Sequence, residues 1–230
     1  MRARHQIGPR TLLPAAAAAG SALVLRHRLL RWGATDDEVA ARLPGDDQVP
    51  QPDLAATRAI TVRVDADQVW PWLAQLGQGR GGFYTYSWLE NLAGAQIHNA
   101  DRIAPQWQAL AVGDHVNLAP GMPLDVVHLE PGHALVLGGG LAMGPRTPPC
   151  TFSWAFVLLE HDEGCRLVVR ERYGYTRGWA RLVVEPTEVV SGLMTQRMLR
   201  GIRDRAERDG LTRPAAPAPS TELAPPTAAP

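Results

Sequence analysis

Between Val69 and Trp107 the chain sets aromatic rings beside charges. Trp70, Trp72, Tyr84, Tyr86, Trp88 and Trp107 stand among Arg80, Glu90, Asn91, His98, Asp101 and Arg102. A charge that leaves water needs a partner, so a turn-rich stretch of this kind reads as the mouth and one wall of a ligand pocket. His98 and Asp101, three apart, would share one face of a helix. An aspartate that fixes a histidine tautomer is how a general base is built. The competing reading pairs Asp101 with Arg102 in a salt bridge that pins the loop. Tyr84, Tyr86 and Trp88 alternate, which in an extended chain puts all three on one side. Rings with polar tips suit a mixed apolar and polar ligand, and they suit covering a sheet edge equally well.

A second place for chemistry is Glu171. Phe152–Glu160 and Cys165–Tyr173 read as two strands joined by His161-Asp162-Glu163-Gly164. With Glu160 opposite Cys165, Phe152 meets Tyr173, Trp154 meets Glu171, Phe156 meets Val169 and Leu158 meets Leu167. That face is apolar and is expected to line a cavity, with Glu171 its lone acid. Burial there would raise the carboxyl's pKa or demand a cation. Glu171 is therefore read as a ligand-anchoring or acid/base group, or as a carboxylate at the cavity mouth, solvated or paired with an arginine such as Arg80. The opposite face carries Arg166, Arg170 and Arg172 and is expected to meet water. The same register places Cys150 opposite Tyr175, roughly 30 Å from Cys165 at ~3.3 Å per residue. Two free thiols are expected, which suits a reducing compartment.

Other chemistries find little support. The seven histidines (5, 27, 98, 115, 128, 133 and 161) lack metal-ligand spacing, and no metal or cofactor is expected. No serine or cysteine has a nucleophile-elbow context. Gly79-Arg80-Gly81-Gly82 lacks the lysine and following hydroxyl of a P-loop and reads as a backbone turn. The formal net charge is zero, so no global field points to nucleic acid. The arginines at 200, 203, 205 and 208 read as a solvated helix end.

The elements that would position these residues follow in order. Residues 1–34 form a basic N-terminal segment, with six arginines and no acid before residue 32, around an uncharged run at 11–25. That run is short for a membrane span and lacks a clean cleavage site. A weak anchor, a degenerate signal and an exposed helix all stay open. A cytoplasmic location is expected, with membrane association through residues 11–25 as the alternative. Residues 35–56 read as a linker, opening with a capping box at Thr35 and Glu38. Residues 57–210 form the main domain, and 211–230, rich in proline and alanine, a disordered tail.

Within the main domain, Thr57–Val64 alternates like a half-buried strand, with Ile60, Val62 and Val64 on its apolar face. A helix over Asp67–Leu76 and a second over Ser87–Leu92 follow. Short apolar runs at His115–Leu118, Asp125–Leu129, Ala134–Leu137, Phe152–Leu159 and Leu167–Tyr173 read as strands. Gly138–Pro149 reads as a loop. Thr187–Arg208 is helical, with Val190, Met194, Met198 and Ile202 along one face and Leu193 and Leu199 beside it.

This order resembles the helix-grip fold of the START-like (SRPBCC) superfamily, and in particular a bacterial branch of polyketide cyclase/dehydrase-like proteins. The residues that carry the likeness are Val69-Trp70-Pro71-Trp72-Leu73, Gln75, Gly77, Gly79-Arg80-Gly81-Gly82, Tyr84, Tyr86, Trp88, Glu90 and Asn91. His98-Asn99-Ala100-Asp101-Arg102-Ile103, Trp107, Val112-Gly113-Asp114 and Met198-Leu199-Arg200-Gly201-Ile202 complete them. The resemblance spans about Thr57 to Glu207. It implies an α+β fold in which a curved antiparallel sheet of about six strands wraps a long C-terminal helix, with two short helices after the first strand. It also implies binding of a hydrophobic small molecule (lipid, isoprenoid or polyketide-like) in the cavity between sheet and helix. The expected contacts are Arg80, Tyr84, Tyr86, Trp88, His98, Arg102, Trp154, Phe156, Glu171, Met194 and Met198. The alternatives are a cyclase or dehydratase using Glu171, His98 and a tyrosine, and a membrane-tethered accessory protein.

Overall fold

The computed structural model describes residues 20–21, 24–92, 94–141 and 148–212. Six strands form one antiparallel sheet in the order β1-β6-β5-β4-β3-β2. They are β1 (Leu54–Val62), β2 (His115–Asn117), β3 (Pro123–Glu130), β4 (Ala134–Gly140), β5 (Cys150–His161) and β6 (Gly164–Tyr175). Residues 24–30 are helical, and the sheet is accompanied by α1 (Asp36–Ala40), α2 (Ala66–Ala74), α3 (Ser87–Leu92) and the long α4 (Ala180–Thr212). This is the expected α+β, helix-grip arrangement. α4 packs across β1 and α2 on the concave side of the sheet.

The β5–β6 hairpin forms in the expected register, Trp154 opposite Glu171 and Glu160 opposite Cys165. Pairing runs one step further, His161 to Gly164, so the turn is shorter than expected. The two cysteines are free and buried at opposite ends of the hairpin. A register shift between Val126 and His128 interrupts β3, the kind of irregularity that bends a sheet. Gly138–Gly140, expected in a loop, extend β4 by pairing with Thr151–Ser153.

Two hydrophobic layers result. On the concave side Trp72, Leu73, Leu76, Leu137, Phe156, Leu167, Met198, Leu199 and Ile202 close one core. On the convex side Ala59, Val136, Ala155, Val157 and Val168 form a second, capped by Leu43. The cap corrects two expectations. The stretch expected as a linker packs on the sheet, with Leu43 and Val49 buried. Arg166, Arg170 and Arg172 do not meet open water. Arg170 donates to the carbonyls of Glu38, Val39 and Ala41 and to Asp46. Arg172 holds Val49, Pro50 and Asp46, and Arg166 holds Glu38 and Gly33. Together the three guanidinia satisfy carbonyls of a strap with no sheet or long helix of its own to do so. The Thr35–Glu38 capping box that starts α1 forms as expected.

α4 starts seven residues before the expected Thr187 and runs through Pro186. Its inward face also differs. Val190 and Leu193 are exposed, whereas Glu188, Thr195, Met198, Leu199, Ile202 and Ala206 are buried. No described helix is long and apolar enough to cross a membrane. Residues 11–19, 22–23 and 213–230, on which the anchor and tail expectations chiefly fall, lie outside the described residues.

Candidate functional site

The site is built around an arginine on the apolar stripe of β1. Arg58 is in phase with Ile60 and Val62 on β1, so its side chain follows the apolar stripe to the concave side. It is 1% exposed. Its Nε donates to the carbonyl of Leu29 at 2.9 Å and its Nη1 to Glu171 Oε1 at 3.3 Å. Its Nη2 donates to Glu188 Oε1. β1 and β6 pair so that Ala56 faces Glu171 and Arg58 faces Val169, which makes Arg58 and Glu171 diagonal neighbours on one face. α4 brings Glu188 down from above. A guanidinium needs room there, and Gly192 supplies it: a Cβ at that position would stand 2.8 Å from Arg58 Nη2.

Glu171 and Glu188 are 2% and 4% exposed and share this one cation. Glu171 also accepts from Thr195 Oγ1 at 2.8 Å and from the Tyr173 hydroxyl at 3.0 Å. Glu188 Oε2 lies 3.3 Å from that same hydroxyl, which has one proton to give. Burial raises the Glu188 carboxyl and the Glu171 charge raises it further, against the pull of Arg58, to about 7. Burial and the two carboxylates push the Tyr173 phenol well above its ordinary value. Burial alone would disfavour charge on Arg58, but Glu171 and Glu188 outweigh it and keep the guanidinium protonated.

Beside this cluster lies a cavity of about 210 Å³, lined by Leu118, Leu141, Phe152, Trp154, Glu171, Tyr173, Val184, Thr187, Glu188 and Ser191. Phe152, Trp154 and Tyr173 form its aromatic wall, with the Phe152 ring centroid 6.3 Å from that of Trp154 and 4.8 Å from that of Tyr173. The indole N–H of Trp154 has no acceptor among the described residues. The volume is below the ~300–1,000 Å³ usual for drug-sized ligands, so an occupant held wholly inside is small.

Of the residues expected as contacts, Trp154 and Glu171 line this cavity. Phe156 and Met198 are buried in the core beside it, and Met194 is half-buried on α4. The others lie elsewhere. Arg80, offered as a partner for Glu171, donates to the carbonyls of Ala74 and Trp107 at 2.7 and 2.9 Å. Tyr84, Tyr86 and Trp88 do not share a side. Tyr84 takes a left-handed backbone (φ 59°) and is buried, whereas Tyr86 and Trp88 are exposed, the latter on α3. His98 and Arg102 are exposed on non-helical backbone. Asp101 pairs with Arg205 of α4 at 2.9 Å, not with Arg102 or His98.

These residues build a scaffold. The Tyr84 hydroxyl donates to the Trp72 carbonyl and accepts from Gln75 Nε2, both at 3.0 Å. Gln75 Oε1 accepts from Ala104 N, and Asn99 Oδ1 accepts from Tyr84 N. Arg205 lies over the Tyr84 ring at 4.9 Å. The loop motif thus ties α2, the 95–108 stretch and α4 together. Among the described residues no group of three or more His, Cys, Asp or Glu side chains could hold a metal ion. Burial, reinforced by Asp65, pushes the Cys165 thiol up to about 11, leaving it a poor nucleophile.

No family model and no curated protein matches the chain. Among solved structures, protein MLL2253 from Mesorhizobium loti is similar at 16% identity and a TM-score of 0.41, over 66% of this chain and 98% of that one. The di-domain ARO/CYC StfQ of the steffimycin biosynthetic pathway is similar at 15% identity and a TM-score of 0.41, over 68% of this chain and 51% of its own. DynU16, from the dynemicin biosynthetic locus, is similar at 16% identity and a TM-score of 0.38, over 65% of this chain and 47% of its own. Likenesses this distant bear on neither ligand nor activity.

Proposed function

We propose that this chain is a START-like binding protein for a small, mostly apolar molecule. The molecule lies between the β5–β6 hairpin and α4, with its polar end at Glu171 and Glu188. One observation carries the reading: an apolar, aromatic-walled cavity ends on a buried carboxylate pair. A few convergent polar groups in an apolar cavity orient a ligand without filling its volume. Native mass spectrometry of gently purified full-length protein tests this. The expected result is a co-purifying small molecule, or uptake of small apolar compounds, that is lost in Ser191→Phe, whose ring fills the cavity. If neither extra mass nor uptake is found in the unaltered protein, the proposal fails.

A second reading, acid/base catalysis, is favoured by the same cluster. Glu188, with its proton held to about neutrality, sits within reach of Tyr173, and a group poised near the working pH is what general acid/base chemistry uses. Glu188 takes the place in this reading that His98 cannot fill, because His98 does not line the cavity.

A further inference from the structure

We infer that the cavity selects a small organic cation, an amine whose ammonium lies against Glu171 and Glu188 and whose apolar body lies against Phe152, Trp154 and Tyr173. This rests on the binding reading above and names the ligand class for the same cavity.

Charge is the first argument. With both carboxylates ionised, the cluster holds two negative charges against the single positive charge of Arg58. Among the described residues no lysine or arginine lines the cavity, and Arg58 has each of its three nitrogens engaged, to Leu29, Glu171 and Glu188. An anionic ligand would find no free cation among these residues, whereas an ammonium would supply the missing one. Buried charges without a partner are costly, so the deficit favours a positive guest or a proton.

Hydrogen bonding agrees. Glu171 receives donors from Arg58, Thr195 and Tyr173. Glu188 Oε2 has only a share in the Tyr173 hydroxyl. An ammonium carries three donors and can serve that oxygen. The wall supplies the rest, since aromatic faces attract cations, tryptophan most strongly. Trp154, nine-tenths buried, also offers an indole N–H without an acceptor among the described residues, which suits an oxygen on the ligand body.

The proton is the competitor. The charged and titratable groups that face Glu188 are Arg58 from β1 and Glu171 and Tyr173 from β6. A bound ammonium therefore displaces the Glu188 proton, and amine affinity rises with pH through neutrality.

Calorimetric titration of the full chain with 2-phenylethylamine, 2-phenylethanol and phenylacetate tests this. At about pH 8 the amine is expected to bind at least ~10-fold more tightly than the alcohol, with phenylacetate weakest. At about pH 6 its binding heat should depend on the buffer, because a proton is released. In Glu188→Gln, checked for folding by circular dichroism, the amine should bind no more tightly than the alcohol. If alcohol and amine bind equally, or the preference survives in Glu188→Gln, the cation assignment is overturned and the binding reading stands. If none of the three probes binds, both fall.

Discussion

Glu171 and Glu188 reach for one phenolic proton and one guanidinium, and that arithmetic has a consequence for stability. The ordinary carboxyl value is 4.5, and burial followed by the Glu171 charge lifts Glu188 to about 7. Between these values the folded protein holds a proton that the unfolded chain has released. Stability therefore falls as pH rises through that window, the reverse of a salt-bridged carboxylate with a lowered pKa. Urea midpoints measured from pH 5 to pH 7.5 should decline in the unaltered protein and decline less in Glu188→Gln. Equal slopes would show that Glu188 is ionised throughout the window. Arg58 lay open to reading in the sequence. It is in phase with Ile60 and Val62, and an arginine on an apolar stripe announces a buried acid. What the stripe could not name was the acid, because Glu171 and Glu188 lie 113 and 130 residues away.

At the scale of elements, α4 turns its first half inside out. Glu188, Ser191 and Thr195 point toward the acid cluster and cavity while Val189, Val190 and Leu193 face water. Hydrophobic periodicity assigns the inward face by burial of apolar area. Here the need to satisfy Arg58, Glu171 and Tyr173 outweighs it, and so Val190 and Leu193, expected inward, face water. The second half, Met198, Leu199 and Ile202, follows periodicity and was legible. Close backbone approach also fixes α4: a Cβ at Gly201 would lie 2.3 Å from the Tyr84 carbonyl oxygen. Gly201→Ala should thus cost about 1–3 kcal/mol in urea unfolding, the usual range for overpacking. Gly178→Ala, where a Cβ meets open space, should stay within ~0.5 kcal/mol. A neutral Gly201→Ala would mean that Tyr84 gives way freely.

For the whole molecule, the sheet is held from both sides, by α4 on the concave face and by the 33–50 strap on the convex one. Arg170 is the strap's main anchor, with bonds to Glu38, Val39, Ala41, Asp46 and Thr57. Arg170→Ala strips these partners from buried groups and should destabilise by about 3–5 kcal/mol. Hydrogen exchange should localise the effect, with amides at 33–50 opening faster and those of the β5–β6 hairpin little changed. Uniform protection along the chain would show that the strap is not a separate unit.

The sequence by itself determined the element order, the β5–β6 register from Phe152–Tyr173 to Glu160–Cys165, the Thr35 cap and the separation of the two thiols. Each depends on near neighbours or on a period of two, which local sequence carries. Only the tertiary structure decided where chemistry can occur. The aromatic and charged motif from Gly79 to Trp107 became scaffold because its polar groups found backbone partners within the loop and on α2 and α4. The cavity's charge came instead from Glu171 on β6 and Glu188 on α4, joined by Arg58 on β1, 113 and 130 residues away. A buried charge is placed by its partners, and distant partners are what folding supplies.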